Sequence, residues 1–208
     1  MKAIKEYCSK YTFQLLFIAL LLVVHAVDPT TASAIAIGGM ALAVVNTKAT
    51  VVTNGDATPV DLSAAYLIHG RVREVVGTAE AANGDSIGST YRLGRVWSGS
   101  RISQLLLMCD AITTCAGDVG LYKTNADGGA VVDADFFASA QSLATALTST
   151  DVTHESGVFD VANIEKRLWE ALGLTADPKI WYDIVVTLTA AAGSAGTISL
   201  KTRYVDGT

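Results

Sequence analysis

TYRLGRVW (residues 90–97) and ISQLLLMC (residues 102–109), separated by four residues, decide the fold. The first alternates apolar and polar side chains with the period of two that a half-buried strand requires, and Arg92 and Arg95 stand in the polar positions. The alternation slips once at Gly94, which predicts a bulge, because one extra residue shifts every later side chain to the other face. The second run is almost continuously apolar and of strand length, which predicts a central strand covered on both faces.

Working outward, the same short-strand rhythm recurs. Residues 41–52 read as a strand closed by Asn54-Gly55-Asp56, and residues 66–76 as a second one bounded by Gly77. Val119-Gly120-Leu121-Tyr122 precedes a turn at Asn125-Ala126-Asp127-Gly128-Gly129, and residues 136–147 lean towards extended structure. Only residues 161–172 look helical, with Asp160 or Asn163 as cap, Ile164, Leu168, Trp169 and Leu172 as a buried stripe, and Gly173 as stop. Two closing strands, 181–189 and 197–205, flank the small-residue stretch Ala190-Ala191-Ala192-Gly193-Ser194-Ala195-Gly196, which reads as a hairpin connection. Many strands at short spacing with one short helix predict a mainly β chain, an antiparallel β-sandwich or jelly roll.

Composition sets the outer limits. The chain has 208 residues, half of them hydrophobic, and a net charge of -5. One domain with a real core is expected, and intrinsic disorder is excluded by the apolar content. Scattered acids and a negative balance exclude a phosphate-binding surface, so nucleic acid is not an expected partner.

Residues 1–39 are a different material. Lys2, Lys5 and Lys10 precede an apolar run from Phe13 to Val24, and Ala32-Ser33-Ala34 has the small residues a signal peptidase reads. The segment is read as a cleaved export signal, a retained membrane anchor, or sequence upstream of a start at Met40. The β-type domain is expected over residues 40–208.

Candidate chemistry is sparse. Gly84-Asp85-Ser86-Ile87-Gly88 matches a nucleophile elbow, and Asp151-Val152-Thr153-His154 matches the acid–histidine fragment of SGNH esterases. An elbow needs a helix after the serine, whereas a strand is expected here, so no catalytic residues are assigned. Asn125, Asp127, Asp133 and Asp135 suit glycine turns better than a calcium loop. No cofactor or metal is expected. Cys109 and Cys115 are read as buried free thiols or, in an oxidising compartment, as a disulfide, with geometry deciding. His69 and His154 are isolated in sequence, and Trp97, Trp169 and Trp181 read as core or contact aromatics before a ligand cage.

From about residue 40 onward the chain resembles virion structural proteins of tailed bacteriophages. The likeness sits in Val45-Asn46-Thr47-Lys48-Ala49-Thr50 with Asn54-Gly55-Asp56-Ala57-Thr58-Pro59, in Asn83-Gly84-Asp85-Ser86-Ile87-Gly88-Ser89-Thr90-Tyr91-Arg92-Leu93, in Gly120-Leu121-Tyr122, in Gly128-Gly129-Ala130-Val131-Val132-Asp133-Ala134-Asp135, and in Tyr182-Asp183 with Tyr204-Val205. The resemblance implies a β-sandwich subunit that coats or cements a capsid, a non-enzymatic decoration protein located in the virion and assembled in the host cytoplasm. Its expected partners are copies of itself, with trimers suiting the geometry, and the major capsid or other virion proteins. The hydrophobic leader departs from that pattern and favours the other reading, a periplasmic or secreted adhesion or glycan-binding module.

Overall fold

The computed structural model describes residues 47–206. The chain divides into two compact units, Met1–Asp56 and Ala57–Thr208. In the first, the described residues carry one helix, α1 (Thr50–Asp56). A strand was the expectation over 41–52. Of its described portion, 47–49 are irregular and 50–52 open α1 instead, with Thr53 N–H donating to the Ala49 carbonyl at 3.0 Å and Lys48 pairing with Asp56 at 2.6 Å. The described residues of this unit hold no strand to pair with, so β-branched propensity yields to bonds the segment can make within itself.

The second unit is a sandwich of two four-stranded antiparallel sheets. Its strands are β1 (Arg71–Ala81), β2 (Thr90–Trp97), β3 (Arg101–Cys109), β4 (Ala116–Lys123), β5 (Val131–Ser142), β6 (Leu147–Asp151), β7 (Trp181–Ala190) and β8 (Gly196–Asp206). One sheet runs β1-β8-β3-β6 and the other β2-β7-β4-β5. That order is the double Greek key of a jelly roll, as one of the two expected architectures has it. Consecutive strands change sheet at every connection except β4 to β5. The small-residue stretch after β7 is therefore not the expected hairpin. It is a crossover between sheets, because β7 pairs with β2 and β4 whereas β8 pairs with β1 and β3.

β2 has the bounds the alternation predicts, and its bulge is real. Arg92 faces Val185 and Gly94 faces Ile184, which leaves Leu93 as the extra residue, turned into the core. β3 lies inside its sheet between β8 and β6, but only one of its faces is covered. Ile102, Leu105, Leu107 and Cys109 are buried, whereas Leu106 and Met108 are half-exposed on the outer side, so a single-faced strand replaces the doubly covered one expected. β1 begins at Arg71, not at 66. Residues 66–69 form a turn, His69 takes a left-handed φ of 67°, and a Cβ on Gly70 would overlap the Val205 side chain. Gly77 is no boundary either. It sits inside β1 opposite Leu200, where the strand crosses close over the Leu93 carbonyl of the facing sheet.

The core is the space between the sheets. Phe136, Phe137 and Phe159 are its largest members, with ring centroids 4.9–5.5 Å apart. Phe159 belongs to the long connection 152–180, which closes one end of the sandwich. That connection is pinned by main-chain bonds from Phe159 to Phe136, from Leu168 to Ser100 and from Trp169 to Ser98. Those last two bonds explain why the expected helix over 161–172 is broken. Only a 3-10 turn at Val161–Asn163 and a four-residue helix, α2 (Leu168–Ala171), form. Arg167 between them is extended (φ -71°, ψ 159°), which leaves the first N–H groups of α2 free to reach the carbonyls of 98 and 100. Asp160 does cap, accepting from Ala162, but Ile164 is left exposed instead of in a stripe.

Candidate functional site

Three surfaces of the sandwich carry organised polar chemistry. The outer face of the β1-β8-β3-β6 sheet bears a side-chain ladder that spans all four strands. Register places Glu74 opposite Arg203, and Arg203 opposite Gln104. Arg203 Nε donates to Glu74 Oε2 at 2.8 Å, its Nη1 to Gln104 Oε1 at 3.5 Å, and Gln104 Nε2 donates to Asp151 Oδ2 at 3.0 Å. Further along, Thr78 bonds Ser199 at 2.9 Å and Thr197 bonds Glu80 at 2.7 Å. The hydrogen bond from Arg203 holds the Glu74 carboxyl below the usual carboxylate range. Burial alone would raise Asp151, but bonds from Thr153 and Gln104 outweigh it and lower that carboxyl. Exposed pairs of this kind add little to stability, so the ladder's effect is to fix side chains in one arrangement across the sheet. Val72 and Val76 lie exposed on the same face, at 68% and 57%.

On the opposite sheet, Asp183 is buried and held by two arginines. Arg92 Nη1 meets Oδ2 at 2.9 Å and Arg95 Nε meets Oδ1 at 2.7 Å. The β2 bulge makes this constellation. Without the extra residue Leu93, positions three apart would face opposite ways; with it, Arg92 and Arg95 stand opposite Val185 and Asp183, two apart on β7. Arg92 also donates to the carbonyls of Lys123 and Gly129, tying the β4–β5 turn to the sheet. Burial pushes the Asp183 carboxyl up, but the bonds from Arg95 and Arg92 prevail and lower it. The stability it contributes is therefore complete above its unfolded pKa of about 3.9 and is lost as pH falls towards the lower folded value. Tm is expected to decline below about pH 4 on this account. Asp183→Asn costs about 1–3 kcal/mol at neutral pH and flattens that acid limb in a thermal-melt series.

The third surface is a cleft at the end of the sandwich where β1 and β7 begin and β2 and β8 finish. Trp97 and Trp181 are cross-strand partners there, packed edge to face with centroids 5.3 Å apart. Arg73 and Tyr204 are the corresponding partners across β1 and β8. Together with Ser100 and Asp206 they line a cavity of about 530 Å3. Four strands far apart in sequence contribute to it, so no local motif announces it; the available signal was a tryptophan at the end of one strand and at the start of another.

The remaining candidates are dispersed. Ser86 is exposed in the β1–β2 loop, beyond Ala81, which pairs with Gly196 at one end of β8. His154 follows Thr153, whose hydroxyl binds Leu105, and Leu105 pairs with Thr202, six residues further along β8. At about 3.3 Å per residue the two anchoring positions lie about 20 Å apart. His154 stacks on Phe159 at 5.1 Å and its Nδ1 bonds the Phe159 carbonyl, while Asp151 bonds Thr153 and Gln104. The hydrolase fragments are thus used to hold loops. Asn125 and Asp127 form a 3-10 turn capped by Thr124 and closed by left-handed Gly128 (φ 91°). Among the described residues no three His, Cys, Asp or Glu side chains gather as a metal site. Cys109 and Cys115 are buried free thiols, one ending β3 and the other just before β4, and burial raises both above the usual thiol range. Cys8 and the leader lie outside the described residues. His69 is exposed in its turn, and Trp169 is stacked by Arg167 at 4.9 Å.

The class the fold defines is an eight-stranded jelly-roll sandwich. No protein family and no curated protein matches the chain. Two solved structures are similar to it. The cyanophage Pam1 capsid asymmetric unit shares 14% identity at a TM-score of 0.44, over 65% of this chain and 85% of that one. The capsid of Ralstonia phage GP4 shares 18% at a TM-score of 0.47, over 67% and 86%. Both are phage capsid structures.

Proposed function

We propose that this chain is a non-enzymatic structural subunit of a phage virion, a capsid decoration or cement protein that acts through contacts with copies of itself and with other capsid subunits. The observation that carries the reading is the ladder Glu74–Arg203–Gln104–Asp151 between exposed Val72 and Val76. It makes a pre-ordered surface on which little side-chain freedom is left to lose on docking. Four strands of 11, 11, 9 and 5 residues, about 30 Å long on average and about 4.8 Å apart, give a face of roughly 600 Å2. A standard interface needs about 800 Å2 per partner, so this face with its adjoining loops is of the size a stable contact requires. The jelly roll is an architecture that viral capsid subunits use, and the phage-like phrases support the same role.

The test is on particles. Mass spectrometry and cryo-electron microscopy of purified virions are expected to find this chain in many ordered copies on the capsid, with the ladder face in a contact. Arg203→Glu sets a second carboxylate beside Glu74 on an exposed face. It is expected to leave Tm within a few degrees of the parent while depleting the chain from particles. Virions without its peptides would remove the proposal.

A further inference from the structure

We propose that the cleft between Trp97 and Trp181 is a binding site for a neutral saccharide. The inference goes beyond the structural role and does not depend on it. The first ground is an unexplained polar group. Ser100 is 1% exposed, lines the cavity, and its Oγ has no hydrogen-bond partner among the described residues. A buried hydroxyl left unpaired is unfavourable, and such groups in folded proteins usually have a water or ligand to satisfy them.

The second ground is the composition of the walls. Trp181 keeps 44% of its surface exposed at the cavity edge although it is packed on Trp97, so a flat apolar indole is presented to whatever enters. Beside it, Arg73 Nε donates to Asp206 Oδ2 at 2.9 Å, which places a cation and an anion together on the wall. Their charges cancel. A phosphate or carboxylate ligand would meet Asp206 as well as Arg73, and an ammonium would meet Arg73, so the site selects for no net charge. What the set does offer is both donors and acceptors around an aromatic face. A guanidinium has five N–H donors, of which one goes to Asp206, the carboxylate accepts, and Ser100 can do either.

A pyranose has the complementary shape. Its axial C–H groups make one flat apolar face for an indole, and its hydroxyls donate and accept around the rim. The volume of about 530 Å3 falls inside the range of about 300–1,000 Å3 for small-ligand pockets and accommodates a mono- or disaccharide.

The experiment uses the full chain and follows tryptophan fluorescence, since two of its three tryptophans line the cleft. The probes are maltose, cellobiose and N,N′-diacetylchitobiose, with sodium phosphate and a proline-rich peptide as the charged and peptidic alternatives. At least one disaccharide is expected to give a saturable change with Kd of about 0.1–10 mM. Trp181→Ala, at a half-exposed position, is expected to weaken it at least about tenfold while lowering Tm by no more than a few degrees for the lost contact with Trp97, and Ser100→Ala by about three- to tenfold. Ile87→Ala, exposed in the β1–β2 loop at the opposite end of the sandwich, leaves it unchanged. No saturable response to any of the three sugars up to about 50 mM overturns the proposal. So does a response that survives Trp181→Ala, or binding of phosphate or the peptide in place of the sugars. Because the isolated chain is measured, a negative result leaves the virion role standing, and an absence from virions leaves the cleft standing.

Discussion

Gly77→Ala is expected to destabilise the sandwich by about 3 kcal/mol or more. An ideal Cβ on Gly77 would overlap the Leu93 carbonyl oxygen and lie 2.5 Å from its carbonyl carbon and 2.9 Å from its Cα. These are backbone atoms, so no rotamer change relieves the clash. Leu93 cannot retreat, because it is the bulged residue of β2 with its side chain in the core at 3% exposure. β1 cannot lift away without breaking its register with β8, which is continuous from Arg71–Asp206 to Ala81–Gly196. Overpacking a core with a movable side chain costs about 1–3 kcal/mol, and a main-chain collision with both strands fixed belongs at or above the top of that range. Against a total stability of about 5–15 kcal/mol, loss of 3 kcal/mol or more lowers Tm by about 6–12 °C in a domain of this size. Urea unfolding and the soluble yield report it. A Gly77→Ala chain with parental Cm would show that the two sheets do not approach as closely as described. Gly55→Ala, with nothing within 4 Å of the added Cβ, is the matching control and is expected to be neutral or slightly stabilising.

Phe159→Ala is expected to cost about 3–5 kcal/mol. Phe159 is fully buried and touches Phe136, Phe137 and His154 with centroids at 5.5, 5.4 and 5.1 Å. It is also the one aromatic plug that the 152–180 connection sends into the sandwich, next to main-chain bonds onto Phe136 and Phe137. Removing the ring opens a cavity and loosens the connection together. Denaturant melts should show a lower Cm, and hydrogen exchange should show faster exchange at the amides of Leu168 and Trp169, which bond Ser100 and Ser98 through that connection. If Cm falls but those amides stay protected, the connection is held independently of the plug.

How much of this was legible depended on whether a decision was local. Residues 90–97 are readable because alternation and a slip at Gly94 are both properties of one segment, and the bulge that follows places Arg92 and Arg95 together. The helix expected over 161–172 failed for the opposite reason. Its apolar spacing is sound, but the carbonyls of Ser98 and Ser100, about seventy residues earlier, take N–H groups from Trp169 and Leu168, and the chain extends at Arg167 to supply them. The hairpin expected between the last two strands failed because nothing in a run of small residues says which sheet the next strand joins. Gly77 looked like punctuation, since a glycine that ends a strand and one that lets another backbone pass close by read alike in sequence. The cleft is the extreme case, with Arg73, Trp97, Trp181 and Tyr204 brought together only by the pairing of β1 with β8 and β2 with β7.

That pairing has a temporal side. β8 lies between β1 and β3, the earliest strands of its sheet, and is made after every other strand. On the ribosome, β1 and β3 wait without their shared neighbour while the 86 residues between β3 and β8 are added, and high contact order of this kind slows folding. The sandwich therefore closes only after translation has passed β8, and until then the facing edges of β1 and β3 have no strand to pair with.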